Sequence, residues 1–306
     1  MNIASVLIIM ISGTLSMATP LIFTSIGGIF SERSGVMNIA LEGIMLMGAF
    51  GAVVGSYYTH SILLAVLCAM LIGALTSLIL AYICINHNAN QVVAGTAINI
   101  LATGLPGFLL IELWGQAGRS PVVDKLDPLH IPLLSGVPVL GDILQRLNLF
   151  VYLALILVPV ASIVLYKTKF GLRVRAVGEH PKGAETAGIN VVKTRYFCVI
   201  LSGMLAAVGG AYLSVGDLGI FTNQMSAGRG FIAMAAMIFG KWKPRGAFAA
   251  CLLFGGAEAL QMLGQVYEWP VPKDLLIALP YILTIIVLAG YVGKSVGPAA
   301  LGKSYP

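Results

Sequence analysis

Glu42 stands in an apolar run with Asn38 one helical turn before it, a carboxylate and an amide on one helix face. Glu258, Gln261 and Gln265 repeat the three- and four-residue spacing. So do Thr96, Asn99 and Thr103, ahead of Pro106, a kink position. Ionisable side chains within apolar runs are costly and mark solute or proton routes. Two readings of these stripes stand. In one they line a hydrated route and hydrogen-bond a polar solute, or Glu42 or Glu258 carries a proton. In the other they join helix to helix. The threonines and glutamines suit the second, and Glu42 suits the first because an unpaired carboxylate is so expensive there. For Arg229, snorkelling to an interface is the cheaper explanation.

Covalent chemistry finds no constellation. No G-x-S-x-G, H-E-x-x-H or G-x-G-x-x-G occurs. Gly293-Lys294-Ser295 ends like a phosphate loop, but the first glycine of that motif would fall at Leu288. His60, His87, His130 and His180 are far apart, and Cys68, Cys84, Cys198 and Cys251 lie singly in apolar stretches. Neither metal-ligand spacing nor a disulfide framework results. The chain is expected to be no enzyme and to bind no cofactor, so any energy from ATP must be harvested by another chain.

The elements that hold these residues follow from composition. Of 306 residues 58% are hydrophobic and 10% charged, against about 25% charged in a soluble domain. Soluble, disordered and disulfide-scaffold classes are excluded, and 36 glycines suit membrane helices. The expected fold is all-α and polytopic. Runs long enough to span, about 20 residues each, fall at roughly 3–28, 37–58, 61–85, 91–112, 149–166, 196–215, 218–240, 246–264 and 275–292. The seventh is either completed by its weaker first half, 218–228, or re-entrant. No segment is left for a soluble domain, so 1–306 reads as one transmembrane unit. The N-terminus lacks a basic stretch before its apolar run, which predicts an uncleaved first span.

A net charge of +6 would suggest nucleic acid in a soluble protein, but here its placement matters more. Loop 167–195 carries Lys167, Lys169, Arg173, Arg175, Lys182, Lys193 and Arg195, and the turn 241–245 is basic as well. Basic residues stay on the cytoplasmic side, so nine spans predict an external N-terminus and a cytoplasmic C-terminus. Thirteen of the eighteen basic residues then fall inside. Trp114, Trp242 and Trp269 sit at span ends, as interfacial anchors do. External loop 113–148, with Pro121, Pro128, Pro132 and Pro138, is long enough to suggest function. The pattern Gly28-Ile29-Phe30, Ser34-Gly35, Ile39-Ala40-Leu41 recurs loosely as Gly219-Ile220-Phe221, Ala227-Gly228, Ile232-Ala233-Met234. An inverted repeat would require this, and chance between two apolar, Gly-rich segments would also give it.

Within loop 167–195, Pro181 to Ala187 predicts a short helix, with Pro181 at its first position and Gly188 as its stop. The stretch 170–181, FGLRVRAVGEHP, followed by Ala187-Gly188-Ile189-Asn190, resembles the coupling segment of ABC-importer permeases of the ribose/branched-chain amino-acid type. The stretch 30–43, FSERSGVMNIALEG, with Gly230-Phe231-Ile232-Ala233 and Phe239-Gly240-Lys241-Trp242, resembles the nucleoside/simple-sugar branch of that family.

The resemblance implies a permease subunit in a bacterial cell membrane, taking up nucleosides or simple sugars by alternating access. It implies a second, homologous permease, two ATP-binding subunits that hold ATP and Mg, and an extracytoplasmic substrate-binding lipoprotein facing loop 113–148. Lipid is the remaining partner; nucleic acid is not one. Gly178, Glu179, His180, Pro181, Lys182, Ala184, Glu185, Ala187 and Gly188 would form the coupling segment. Asn38, Glu42 and Gly43 would lie at or near the path, with polarity adding Thr96, Asn99, Glu258 and Gln261. The rival reading is an ion-coupled carrier working alone through Glu42 or Glu258.

Overall fold

Residues 3–129, 140–290 and 296–305 are described by a computed structural model. His130, Pro132, Pro138 and the Gly293-Lys294-Ser295 run lie outside these described residues.

Polar residues placed between apolar runs start the helices, because the first backbone N–H groups of a helix need acceptors. After α1 (Ile3–Arg33), α2 (Leu41–Thr59) and α3 (Ile62–Ala81, prolonged by a π-helical turn to Asn86), the side chain of Asn90 caps α4 (Gln91–Trp114). A short α5 (Leu140–Leu144) precedes α6 (Leu149–Lys167), capped by Asn148. Thr168 caps α7 (Lys169–Glu179), the ring of His180 caps α8 (Pro181–Thr186), and Asn190 caps α9 (Val191–Ala211). A π-helical turn extends α9 to Leu218; α10 (Arg229–Phe239), α11 (Pro244–Val266) and α12 (Lys273–Gly290) follow. The described residues contain no strand, only an isolated antiparallel bridge between Arg119 and Thr222.

Small residues let the inner helices meet backbone to backbone. A side chain at Gly210 of α9 would collide with the Met45 carbonyl of α2, and one at Gly203 with Gly73 and Ser77 of α3. In lipid, where apolar surface gives no preference for protein over solvent, such close packing drives association. The centre is therefore α1, α2 and α9. Helices α3, α4 and α6 turn aliphatic faces outward, as lipid-facing helices do.

Among the described residues, the nine expected runs do not all become long helices. Seven helices of the described residues are long and apolar enough to cross a membrane. The expected seventh run instead unwinds from Gly219 to Gly228 and becomes helical only at Arg229. At 1.5 Å per residue the 11 residues of α10 rise about 16 Å, half of a hydrocarbon core. Gln224, Ala227 and Gly228 all hold positive φ angles (57°, 48° and 84°), so this stretch is a succession of tight turns and not a frayed helix. The ninth run is α12, and its last expected residues, 291 and 292, fall outside the described residues. The repeated pattern straddles a helix break in both copies, but in different registers. Gly28-Ile29-Phe30 is helical while Gly219-Ile220-Phe221 is irregular.

Loop 167–195 is mostly helical, being α7 and α8 with the start of α9. Residues 118–126 of the long proline-rich segment fold over the opposite end of the bundle. There Ser120, Val123 and Leu126 donate backbone hydrogen bonds to Phe221, Gly219 and Val215 (2.9, 2.8 and 2.9 Å).

Candidate functional site

The unwound stretch before α10 is held by one carboxylate. Glu42 lies in the first turn of α2, where the positive end of that helix favours an anion. It also reaches the start of α10. Its Oε1 accepts from Ser226 Oγ (2.6 Å) and the Gly228 N–H (2.9 Å), and its Oε2 from the Gly230 N–H (2.6 Å). Two helix N-termini thus converge on one anion, satisfying amides that the interrupted helix would leave bare. Gly230 is required by this approach, since a Cβ there would stand 2.8 Å from Glu42 Oε2 and closer still to its backbone.

Asn99 fixes the level of the site along α4. Its Oδ1 accepts from the Gly43 N–H (2.8 Å) and its Nδ2 donates to the Ile39 carbonyl (2.9 Å). Asn99 is eight residues, about 12 Å of helix rise, beyond the start of α4. The carboxylate therefore lies about a third of the way along α4, inside an apolar helix long enough to span, and interrupted helices of transporters place their polar sites within such spans. A cavity of about 400 Å³ opens beside it. Glu42, Gly43, Thr96, Asn99, Thr103 and Gln224 supply its polar groups, while Ile39, Leu46, Ile100 and the half-exposed ring of Phe231 make most of its wall apolar. Thr96 and Thr103 donate to carbonyls of their own helix (2.8 and 2.7 Å), leaving oxygen lone pairs to accept.

The other expected path residues lie elsewhere. Glu258 and Gln261, with Gln265, line a second cavity of about 360 Å³ that shares Ala227 with the first. Arg229 turns to a carboxylate: its Nη2 stands 3.3 Å from Glu258 Oε2, a largely buried ion pair on the wall of this cavity. Asn38 lines neither cavity. It is fully buried and donates to Ser202 Oγ (3.0 Å), the helix-to-helix role. A further buried carboxylate, Glu32 of α1, was not singled out from the sequence because it falls within the 30–43 stretch next to Arg33. It is 3% exposed and accepts from Trp242 Nε1 (2.6 Å). Trp242 is therefore a buried strut and not an interfacial anchor, whereas Trp269 is exposed.

The Arg229–Glu258 pair carries a stability prediction. Arg229→Met strands a largely desolvated carboxylate, at a cost of about 2–3 kcal/mol. Arg229→Met/Glu258→Gln is expected to regain most of that loss. Thermal unfolding of the two variants in detergent checks this, and equal destabilisation would contradict it.

At the basic end, α8 takes the expected form. Pro181 occupies its first turn, His180 Nδ1 accepts from the Gly183 N–H (3.0 Å), and Gly188 holds φ 81°. The Ile189 N–H then returns to the Ala184 carbonyl (3.0 Å), closing the helix end. Arg33 ties this segment to the bundle, with Nε on the Trp242 carbonyl (3.1 Å), Nη2 on the Lys241 carbonyl (3.3 Å) and Nη1 3.9 Å from Glu179 Oε1. Residues 296–305, which carried no sequence signal, strap the segment from its other side. Ala300 N–H donates to the Gly178 carbonyl (2.9 Å), Gly302 N–H to Gly35 (3.2 Å), and the Tyr305 hydroxyl to Glu185. That bond to an anion raises the Tyr305 pKa.

Residues 10–288 match the family model described as "Branched-chain amino acid transport system / permease component". The chain is 43% identical to the nucleoside ABC transporter permease protein NupC of Lactococcus lactis subsp. cremoris, covering 100% of this chain and 99% of that one. It is 42% identical to the guanosine ABC transporter permease protein NupQ of Bacillus subtilis, over 100% and 98%. A putative glucose ABC transporter permease protein of Haloferax volcanii is 32% identical over 97% of each chain. A polytopic helical bundle, an interrupted helix pinned by a carboxylate and a family match over nearly its whole length agree: the chain belongs to the family of branched-chain amino acid transport system permease components.

Proposed function

We propose that this chain is the membrane permease of an ATP-driven importer of nucleosides and works by alternating access. The observation that carries the reading is Glu42, a carboxylate that pins the start of a half-length helix beside a cavity where a few polar groups stand in a largely apolar wall. A nucleoside presents sugar hydroxyls and a flat base. The cavity presents carboxylate, threonine and glutamine oxygens beside an aromatic ring. The names of the two relatives above 40% identity support this substrate class over a simple sugar.

On this reading the basic end faces the cytoplasm, and Gly178 to Gly188 seat on an ATP-binding subunit. A second permease and an extracytoplasmic binding protein complete the machine, the latter above residues 118–126. The physical link from drive to cavity is short. Arg33 joins Glu179 to the turn that ends α10, and the other end of α10 rests on Glu42. A displacement of α7 and α8 therefore pulls on the helix whose start shapes the cavity.

A lone ion-coupled carrier would need a carboxylate free to load and release a proton. Glu42 is occupied by three donors and Glu258 by a guanidinium, which disfavours that reading. Uptake of labelled guanosine, uridine, ribose and glucose into proteoliposomes carrying the full complex tests the proposal. Nucleoside uptake that requires ATP and is not competed by ribose or glucose is expected. Sugar uptake alone would overturn the substrate class, and uptake on a proton gradient without ATPase subunits would overturn the mechanism.

A further inference from the structure

A pocket outside the transport route lies where two helices reach the basic end of the bundle. Lys167 ends α6, and Lys243, Pro244 and Arg245 begin α11. With Tyr166, Ser162, Ile163 and Pro159, these residues enclose about 370 Å³. Three exposed cations share this pocket and no acid lines it. Among the described residues, no carboxylate stands within ion-pair distance of any of the three. Like charges gathered without counterions repel one another, so the cluster favours an anion between them. The guanidinium of Arg175 lies 5.1 Å from the centre of the Tyr166 ring, adding positive charge behind that wall.

The approach to the pocket narrows the choice of anion. Leu149, Leu153, Ile156, Val160 and Ile163 of α6 are all exposed, and their spacings of four and three put them on one face. This face is wholly aliphatic and leads along α6 to the pocket. A ligand that suits both parts carries a phosphate at one end and hydrocarbon chains at the other. Basic pockets between membrane helices at one bilayer edge match lipid headgroups in this way.

We propose that Lys167, Lys243 and Arg245 hold the phosphate of an anionic phospholipid, whose acyl chains lie along the exposed face of α6. The bound headgroup would neutralise the cluster and tie the end of α6 to the start of α11.

The whole transporter complex, purified in mild detergent, tests this by native mass spectrometry with added phosphatidylglycerol, cardiolipin or phosphatidylcholine. The wild-type complex is expected to retain the anionic lipids and not phosphatidylcholine. Lys167→Gln/Lys243→Gln/Arg245→Gln is expected to weaken that retention by about 100-fold, since each cation near a membrane surface contributes about fivefold. A charge-matched control at the opposite end, Arg119→Gln/Lys125→Gln/Arg146→Gln, should retain lipid as wild type does. If the triple variant fails to insert, Lys243→Gln and Arg245→Gln singly should each show a several-fold loss. Equal retention in pocket and control variants would overturn the proposal, as would equally strong retention of phosphatidylcholine. Displacement of the lipid by millimolar inorganic phosphate would reduce the pocket to a bare anion site. Loss of the ATP-binding subunits with lipid retention unchanged would make the surface a subunit contact instead.

Discussion

Glu42→Ala is expected to abolish nucleoside uptake while the protein still inserts into the membrane. The substitution removes the acceptor of Ser226 Oγ and of the Gly228 and Gly230 amides at one stroke. Hydrogen bonds to a charged partner contribute about 1.5–3 kcal/mol each, and the three are coupled, so the loss is about 3–5 kcal/mol in all. That loss falls on the junction of α2 with α10, and the left-handed residues before Arg229 lose the contact that holds them strained. A cavity wall free to rearrange by that much energy lowers uptake by more than about 100-fold. Glu42→Gln keeps one acceptor oxygen but turns an amide donor toward an N–H or hydroxyl. It is expected to retain membrane insertion and only a few per cent of uptake. Uptake into proteoliposomes, with size-exclusion profiles for integrity, reads both variants. Near-normal transport by either would remove the central support of the proposed function.

Gly178→Val is expected to separate hydrolysis from transport. A Cβ at position 178 would overlap the Arg33 carbonyl oxygen and stand 2.9 Å from its carbon. The neighbouring backbone cannot yield, because the Gly178 carbonyl is already bonded to Ala300. Overpacking of this kind costs about 1–3 kcal/mol and displaces the smaller element, here α7 and α8. The joint through Arg33 to the end of α10 then opens. Uptake should fall at least about tenfold, while basal ATP hydrolysis by the complex persists without stimulation by the loaded binding protein. Arg33→Gln, which breaks the same joint without a clash, should reproduce the pattern more mildly. Coupled transport at wild-type efficiency in Gly178→Val would sink the assignment of this segment as the coupling element.

Some of this was legible in the residue order. Helix α8 was readable to its last turn, because Pro181 and Gly188 act locally: one presets φ and the other tolerates a left-handed stop. Glu42 and Asn99 were singled out by polarity in apolar runs, and both lie at the cavity. Asn38 has the same polarity and spacing yet sits against Ser202, since periodicity marks a helix face without naming what that face meets. Glu258 and Gln261 were grouped with Glu42, and α10 separates the two cavities. Arg229 and Glu258 are 29 residues apart, and Glu32 and Trp242 are 210 apart. No local pattern reveals pairs at such distances.

Scarcity of charge, apolar run length and basic-residue placement determined by themselves that the chain is a helical membrane protein. These are properties of short segments against a solvent, and each segment carries its own transfer free energy. Only the tertiary structure decided that the seventh run is a half-length helix, because its unwound amides become tolerable once a carboxylate from another helix accepts them. It also decided the role of residues 296–305, where the Ala300 N–H bonds Gly178 of α7 and the Tyr305 hydroxyl bonds Glu185 of α8, pairings that exist only once the chain has folded back on itself. Solvent preference is written into each residue, whereas the partner of a buried polar group exists only after the helices have packed.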